Sequence, residues 1–282
     1  MDGPRTPDDV EVVVGALSVG DLSLVGEITE SSNVALLCHV ADSDAAAACT
    51  GGPVHVIYKP VRGERPLWDF PDGTLAGREV ATFEVSRAGG WDCVPPTVLR
   101  EGPYGTGSVQ LWIGDPFGTE PDPRPVDIVS PRRVPDGWLS VVDGELRGGG
   151  TVTVVHEDRD DVRDIAVLDA VVNNADRKGS HLIRDPSGRL WGFDHGVTFS
   201  PDPKLRTVLW GWAGKPLRDV DVERLERLER AMQGESDLLA TLYVLLPAVD
   251  VRALRKRVTM LLRTGRHPSP RGGWPDIPWP AL

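Results

Sequence analysis

The chain has 282 residues, of which 40% are hydrophobic and 26% are charged, so it can bury the core of one large domain or of two small lobes. Its net charge of −11 argues against a general nucleic-acid binder and against a protein that binds anionic membrane surfaces. Three cysteines without a CxxC pair and a polar, acidic start predict no disulfide framework and no signal peptide. We therefore expect a cytoplasmic protein without integral membrane association.

The first part of the chain has the pattern of a mostly antiparallel sheet with one helix. Short apolar or alternating runs predict strands, and a small-residue segment at 41–53 predicts a loop. A helix over 75–88 is expected to stop at Gly89-Gly90, and a short helix could form over 8–19. The strands are expected at 22–29, 34–40, 54–59, 94–99 and 108–113.

The second part of the chain is predicted to be more helical. Residues 139–155 indicate a hairpin, and a helix of about four turns is expected from Asp161. Two short strands around the DPSG turn follow at 182–193, and further helices are predicted over 219–233 and 235–264. The Pro-rich tail is expected to pack down through Trp274 and Trp279.

Two aspartates indicate phosphoryl transfer. Asp176 and Asp194 are separated by the short strand pair, which can fold back and bring both carboxylates to one rim. In phosphoryl transfer, one aspartate orients the attacking hydroxyl and a second holds the Mg²⁺ that bridges the nucleotide phosphates. Lys59, at the end of an apolar strand, could pair with those phosphates, and Glu79 could hold it in place.

A turn at Ser31, Ser32 and Asn33 could cradle phosphates with its backbone N–H groups. The chain contains no Walker A sequence, and this turn is not the G-x-G-x-x-G loop of ordinary protein kinases. The turn could equally be a simple hairpin connection.

These parts occur in an order that resembles the phosphatidylinositol 3-/4-kinase-like branch of the protein-kinase-like superfamily. The likeness is nearest to type II phosphatidylinositol 4-kinases and more distant to HipA-type kinases. The whole chain also resembles an actinobacterial family of kinase-like proteins, with N-N-A-D-R-K-G-x-H and L-R-T-V-L-W-G-W as hallmarks. The matching segments are V-I-Y-K-P at Lys59, R-E-V-A at Glu79, S-V-Q-L-W-I at 108–113, L-D-x-x-x-x-N-x-D-R at 168–177 and F-D-H-G-V-T-F at 193–199.

The resemblance implies a two-lobed α+β, protein-kinase-like fold. The small lobe, residues 1–114, would be the nucleotide-binding antiparallel sheet with one helix. The larger, mainly helical lobe, residues 115–282, would hold the catalytic and metal-binding groups. ATP would lie between the lobes.

The resemblance also implies roles for individual residues. Lys59 would contact the α- and β-phosphates and pair with Glu79, and Asp194 would be the main metal ligand. His181 occupies the position where the family usually has the Asn that is the second metal ligand. Because imidazole suits Mn²⁺ or Zn²⁺ better than Mg²⁺, this exchange bears on metal preference. Asp176 and Arg177 would be catalytic, and Gln110, Leu111, Trp112 and Ile113 would form the hinge that hydrogen-bonds adenine.

The predicted activity is ATP-dependent transfer of the γ-phosphoryl group to a hydroxyl of a protein or small polyol rather than a lipid, with Mg²⁺ or Mn²⁺. Three alternatives remain open. The exchange at His181 favours a nucleotide-binding pseudokinase, and an AMP-transferring enzyme would use the same parts. A metal-dependent hydrolase would use Asp176, His181, Asp194 and His195. Because clustered carboxylates repel, Asp194→Ala is expected to fold at least as well as the wild type.

Overall fold

The computed structural model describes residues 2–28, 33–65, 67, 70, 75–118, 124–145, 148–272 and 275–282. Its largest sheet has five antiparallel strands in the order β1-β2-β3-β5-β4. Side chains alternate along β3, where Val56 and Tyr58 are fully buried and Ile57 and Lys59 lie on the opposite face. The strands are β1 Leu22–Glu27, β2 Leu36–Val40, β3 His55–Pro60, β4 Thr97–Gly102 and β5 Gly105–Leu111.

In the described residues three helices accompany this sheet, so the prediction of one helix is wrong in number, although the helices expected over 8–19 and 75–88 are both present. They are α1 Pro7–Val19, α2 Asp44–Thr50 and α3 Leu75–Gly89. The expected loop at 41–53 contains α2, because its alanine run has high helix propensity. This helix ends at Gly51, which adopts a left-handed φ of 73°.

The rest of the described chain adds two small sheets and four helices. A three-stranded antiparallel sheet has the order β6-β8-β7, and a hairpin pairs β9 with β10. The predicted continuous helix over 235–264 is wrong, because Pro247 lacks an N–H and separates α6 from α7. The elements are β6 Val126–Val129, β7 Trp138–Glu145, β8 Thr151–Glu157, α4 Asp160–Val172, β9 Leu182–Arg184, β10 Leu190–Gly192, α5 Asp219–Ala231, α6 Asp237–Leu245 and α7 Ala248–Thr264.

Two hydrophobic cores support these elements. One packs α1 and Trp191 against the five-stranded sheet, and the other joins α3 to α4, α5, α6 and α7. The predicted packing of Trp279 is wrong, since this side chain is 89% exposed; Trp274 lies outside the described residues. In the tail, Ala281 is buried instead. Among the described residues, we find no helix with both the length and the apolar character needed to cross a membrane.

Candidate active site

An open cavity of about 690 Å³ lies where the end of β3, the start of α3 and the segments around Asp176 and Asp194 meet. This volume is in the range of ligand pockets, about 300–1,000 Å³. Four basic and four acidic side chains are among its described lining residues, whereas the chain as a whole has 31 basic and 42 acidic residues. The cavity is therefore much less negative than the protein. These lining residues are Lys59, Arg65, Lys178, Arg206, Glu64, Glu79, Asp176 and Asp194.

Lys59 links two carboxylates at the inner end of this cavity. Its Nζ lies 2.6 Å from Oε1 of Glu79 and 2.9 Å from Oδ1 of Asp194. Burial lowers the pKa of Lys59, but the attraction of Asp194 and Glu79 outweighs it and the net pKa is raised. The sequence prediction that Lys59 and Glu79 lie together therefore matches the geometry, and Lys59 carries its charge at every physiological pH.

Glu79 ties the sheet to the turn that carries Asp194. One of its carboxylate oxygens accepts from Lys59, and the other accepts from the backbone N–H of His195 over 2.9 Å. Glu79 is buried in α3, so both interactions form away from bulk water. Its position fixes the distance between β3 and the segment after β10.

Asp194 has a left-handed backbone, with φ of 58°, which aspartate tolerates better than most residues. Its Oδ2 lies 3.3 Å from Nε2 of His181, while Oδ1 faces Lys59. The charge of Lys59 is the main reason that the pKa of Asp194 lies well below its ordinary value; burial opposes this shift and His181 adds to it. The carboxylate is therefore ionised in the folded protein.

His181 and Asp194 are the residues that could hold a divalent cation. Burial is the main reason that the pKa of His181 is lowered to about 4, so the imidazole is neutral near pH 7. No group of three or more His, Cys, Asp or Glu side chains suited to a metal occurs in the described part of the chain. Two protein donors suit a cation that completes its coordination with water and nucleotide phosphates.

Asp176 lies on the same cavity, as the sequence predicts. Its Oδ2 is 3.0 Å from Nζ of Lys178, and its side chain is 30% exposed. Burial is the main reason that the pKa of Asp176 is raised. Lys178 lowers this pKa, Asp194 raises it and Arg206 lowers it. A partly desolvated carboxylate of this kind can accept a hydrogen bond from a hydroxyl group.

Arg177, which was predicted to be catalytic, is fully buried and is not among the described lining residues. Its Nε lies 2.9 Å from Oδ2 of Asp169, and its Nη1 donates to the carbonyl of Phe193 over 2.9 Å. It therefore acts on the site by positioning the chain beside Asp194. Arg177 is buried rather than exposed to the cavity because the buried carboxylate of Asp169 pairs with its guanidinium inside the protein.

The four-residue site expected for a metal-dependent hydrolase is not assembled. His195 is fully buried, and its Nε2 lies 2.6 Å from Nη2 of Arg177. Burial, followed by the charge of Arg177, lowers the pKa of His195 well below its ordinary value. This histidine is therefore a neutral acceptor for Arg177 and does not line the cavity in the described structure.

Of the two predicted nucleotide-binding segments, the described part of the first lines the cavity and the second does not. Asn33 lines the cavity and its Oδ1 accepts from the backbone N–H of Arg65 over 2.9 Å, whereas Ser31 and Ser32 lie outside the described residues. None of the four expected hinge residues is among the described lining residues. The side-chain amide of Gln110 donates to Thr97 over 2.8 Å. The backbone N–H groups of Leu111 and Trp112 donate to the carbonyls of Pro96 and His55, and Ile113 is buried.

Sequence reasoning missed Lys178 and Arg206. Lys178 had a signal, since it is one of only five lysines and stands two residues after Asp176. Arg206 stands in the hallmark L-R-T-V-L-W-G-W, but its sequence position does not show that an isolated parallel bridge between Arg177 and Thr207 brings this segment to the site.

The chain is similar to protein Rv2133c of Mycobacterium tuberculosis, with 42% identity over 271 residues that cover 94% of each chain. No protein-family model matches it.

Two solved structures share its fold. The Golgi casein kinase superposes with a TM-score of 0.53 at 14% identity, covering 92% of this chain and 75% of that one. The Fam20 protein of hydra gives a TM-score of 0.51 at 15% identity, with 92% and 89% of the two chains covered. The fold of this chain is therefore protein-kinase-like.

Proposed function

The chain belongs to the family of the mycobacterial protein Rv2133c and has a protein-kinase-like fold, and from this premise we propose that it is an ATP-dependent phosphotransferase. Residues 1–114 and 115–282 would be its two lobes, with the cavity between them. The reaction would transfer the γ-phosphoryl group of ATP to a hydroxyl group of a protein or small polyol rather than a lipid.

One observation carries this proposal: Lys59 connects Glu79 to Asp194 at the end of β3, on a cavity that Asp176 also lines. A lysine held by a helix carboxylate, next to an aspartate that can bind a metal, is the arrangement that neutralises nucleotide phosphates in kinases. A metal-dependent hydrolase has no need for the lysine and its two carboxylates together.

Each polar group has a role in this proposal. Lys59 would bind the phosphates, while Asp194 and His181 would hold Mg²⁺ or Mn²⁺, which supplies charge neutralisation when bound. Asp176 would orient the acceptor hydroxyl, and Lys178 would offset the charge of the transferred phosphoryl group. Asn33, which lines the same cavity as Lys59, would be the described member of the phosphate-binding turn expected from the sequence.

By the resemblance, residues 110–113 would bind the adenine of ATP. Since those residues are not among the described lining residues, the adenine would have to extend beyond the described cavity to reach them. The backbone N–H groups of Leu111 and Trp112 already have acceptors, so the contacts with adenine would come from neighbouring backbone groups.

Calorimetric titration with ATP, in the presence of Mg²⁺, Mn²⁺ or a chelator, tests the proposal. We expect metal-dependent binding by the wild type and a loss of about tenfold or more in Lys59→Met and Asp194→Asn. Asp136→Asn is a matched control, because Asp136 is an exposed carboxylate that is not among the described lining residues. Absence of binding with either metal, or equal binding by Asp194→Asn, contradicts the proposal.

A second candidate is a kinase-like protein that binds nucleotide without phosphorylating a hydroxyl, either as a regulatory pseudokinase or as an AMP-transferring enzyme. It is favoured by His181, whose imidazole faces Asp194 where the resembling kinases have an amide. Product analysis separates the possibilities. ADP indicates phosphoryl transfer, pyrophosphate indicates AMP transfer, and binding without any product indicates a pseudokinase.

A further inference from the structure

Arg206 is fixed beside Asp176 through its backbone. Its N–H donates to the carbonyl of Asn174 over 2.9 Å, and its own carbonyl accepts from the N–H of Arg177 over 3.0 Å. Asn174 and Arg177, the residues that make these two bonds with Arg206, flank Asp176 in the chain. The place of Arg206 therefore depends on the same loop that presents the carboxylate proposed to orient the acceptor.

Arg206 lines the cavity. Its Nε donates to the carbonyl of Pro275 over 3.1 Å, which orients the side chain. The cavity lining also includes Asp176 and Lys178, and the charge of Arg206 lowers the pKa of Asp176. A guanidinium presents five N–H groups in a planar fork that matches a carboxylate or phosphate group.

Residues 275–282, here called the tail wall, close this side of the cavity. The tail wall accepts hydrogen bonds from Gly179 at the Ala281 carbonyl, over 2.8 Å, and from Thr207 at the Asp276 carbonyl, over 3.1 Å. Pro280 and Leu282 line the cavity with apolar surface. This side of the cavity is bounded by chain that is hydrogen-bonded to Gly179 and Thr207, and the volume of about 690 Å³ is that of a small-molecule pocket, which favours a small acceptor.

We propose that the acceptor is a small anionic alcohol, either a hydroxy acid or a phosphate monoester of a polyol, whose anionic group binds Arg206 while its hydroxyl faces Asp176. This inference rests on the function proposed above. The acceptor oxygen would form a bond to the γ-phosphorus, and the bond from that phosphorus to the β–γ bridging oxygen would break. ADP would leave with the electron pair, and the hydroxyl proton would go to Asp176 and then to solvent.

Calorimetry with three-carbon probes tests the inference on the full chain saturated with a non-hydrolysable ATP analogue and Mn²⁺. The probes are glycerate, glycerol 3-phosphate and glycerol, which share hydroxyl groups and differ in the anionic group. We expect the wild type to bind at least one anionic probe and to bind glycerol about tenfold more weakly or worse. The two anionic probes distinguish a carboxylate from a phosphate as the preferred group.

Variants assign the binding to Arg206. Arg206→Gln is expected to weaken the anionic probe about tenfold or more, and Arg206→Lys to restore part of the loss, because a lysine keeps the charge without the planar fork. Arg255→Gln, an exposed site on α7, is expected to bind like the wild type. Affinity for the ATP analogue should stay unchanged in the control variant Arg255→Gln, whose site is not among the described lining residues.

The outcomes separate the two proposals. If the ATP analogue binds but glycerol binds as well as glycerate, or Arg206→Gln has no effect, the inference fails and the proposed function stands. If the analogue itself does not bind, the proposed function fails, and the inference fails with it. Binding of an acidic serine peptide or of phosphatidylinositol vesicles, in place of the small anions, overturns the assignment of a small acceptor.

Discussion

Nη2 of Arg177 lies 2.6 Å from Nε2 of His195, and the backbone N–H of His195 donates in turn to Glu79. These contacts connect the loop that carries Asp176 to helix α3 through buried groups. Asp194 lies immediately before His195, and the carbonyl on its other side, that of Phe193, also accepts from Arg177. The left-handed backbone of Asp194 is therefore held from both sides by one guanidinium.

Removing Asp169, the ion-pair partner of the Arg177 guanidinium, should lower the free energy of unfolding. Asp169 and Arg177 are both fully buried, so Asp169→Ala leaves an uncompensated charge in the core. We expect a loss of about 3–5 kcal/mol in the free energy of unfolding, measured by urea denaturation. Asp160→Ala is the control, because Asp160 pairs with Arg218 at the surface and should cost about 1 kcal/mol or less. Equal losses in the two variants would contradict the structural role of Asp169.

Neutralising Asp194 should lower the stability of the metal-free protein, contrary to the expectation from the sequence. That expectation assumed repulsion among clustered carboxylates, but Lys59 lies between Asp194 and Glu79. The pKa of Asp194 is lower in the folded than in the unfolded chain, so its ionised form stabilises the fold above the unfolded pKa of about 3.9. This contribution is lost as the pH falls through the folded pKa.

Thermal unfolding of Asp194→Asn measures this contribution. Asparagine keeps the shape of the side chain and tolerates the left-handed backbone, so the variant removes the charge with little strain. We expect a lower Tm than wild type at pH 7 in chelator, and a difference that shrinks below about pH 4. An equal or higher Tm at pH 7 would instead support the repulsion expected from the sequence.

Two histidines that are not among the described lining residues should lower the free energy of unfolding when the solution is mildly acidified. Nε2 of His156 accepts from the N–H of Gly211, and Nε2 of His267 accepts from Nε of Arg163, so protonation breaks both bonds. Burial is the main reason that the pKa of each is lowered to about 4. Because the unfolded chain takes up these protons near pH 6.5, stability is complete above that pH and decreases toward pH 4.

The free energy of unfolding, measured in urea between pH 7 and pH 4, checks this prediction. Each histidine should contribute a slope of about 1.4 kcal/mol per pH unit within that window. His156→Gln should have a shallower pH dependence, because glutamine does not titrate. His39 and His55 are only partly buried, so His39→Gln serves as a control with the slope of the wild type. A flat wild-type profile would contradict the assignment of His156 and His267 as buried neutral groups.

Local sequence signals predicted most of the elements and part of the site. The apolar strand expected at 54–59 ends at Lys59, one residue before β3 does, and the short strand pair between Asp176 and Asp194 brings both residues to one cavity. Tertiary pairing determined the rest. Asp169 and Arg177 lie in one motif, L-D-x-x-x-x-N-x-D-R, but the motif does not show that they pair inside the protein. The approach of Arg206 to Asp176 depends on a bridge between two separate segments. The sequence placed the hinge at 110–113 by resemblance, and the described cavity does not include it.

The close approach of β5 to β3 gives a final prediction about how Lys59 is positioned. A Cβ at Gly107 would lie 2.5 Å from the carbonyl oxygen of Lys59 and 2.8 Å from Cα of Pro60, and neither backbone atom can move without displacing the strand. Gly107→Ala should therefore destabilise the fold by about 1–3 kcal/mol and weaken nucleotide binding, because β3 presents Lys59 to the cavity. Gly15→Ala is the matched control: a Cβ there would meet nothing within 4 Å, and in the middle of α1 it should stabilise the fold by about 1 kcal/mol. Urea unfolding and ATP titration of both variants test this relationship, and unchanged ATP affinity in Gly107→Ala would show that the position of β3 does not limit binding.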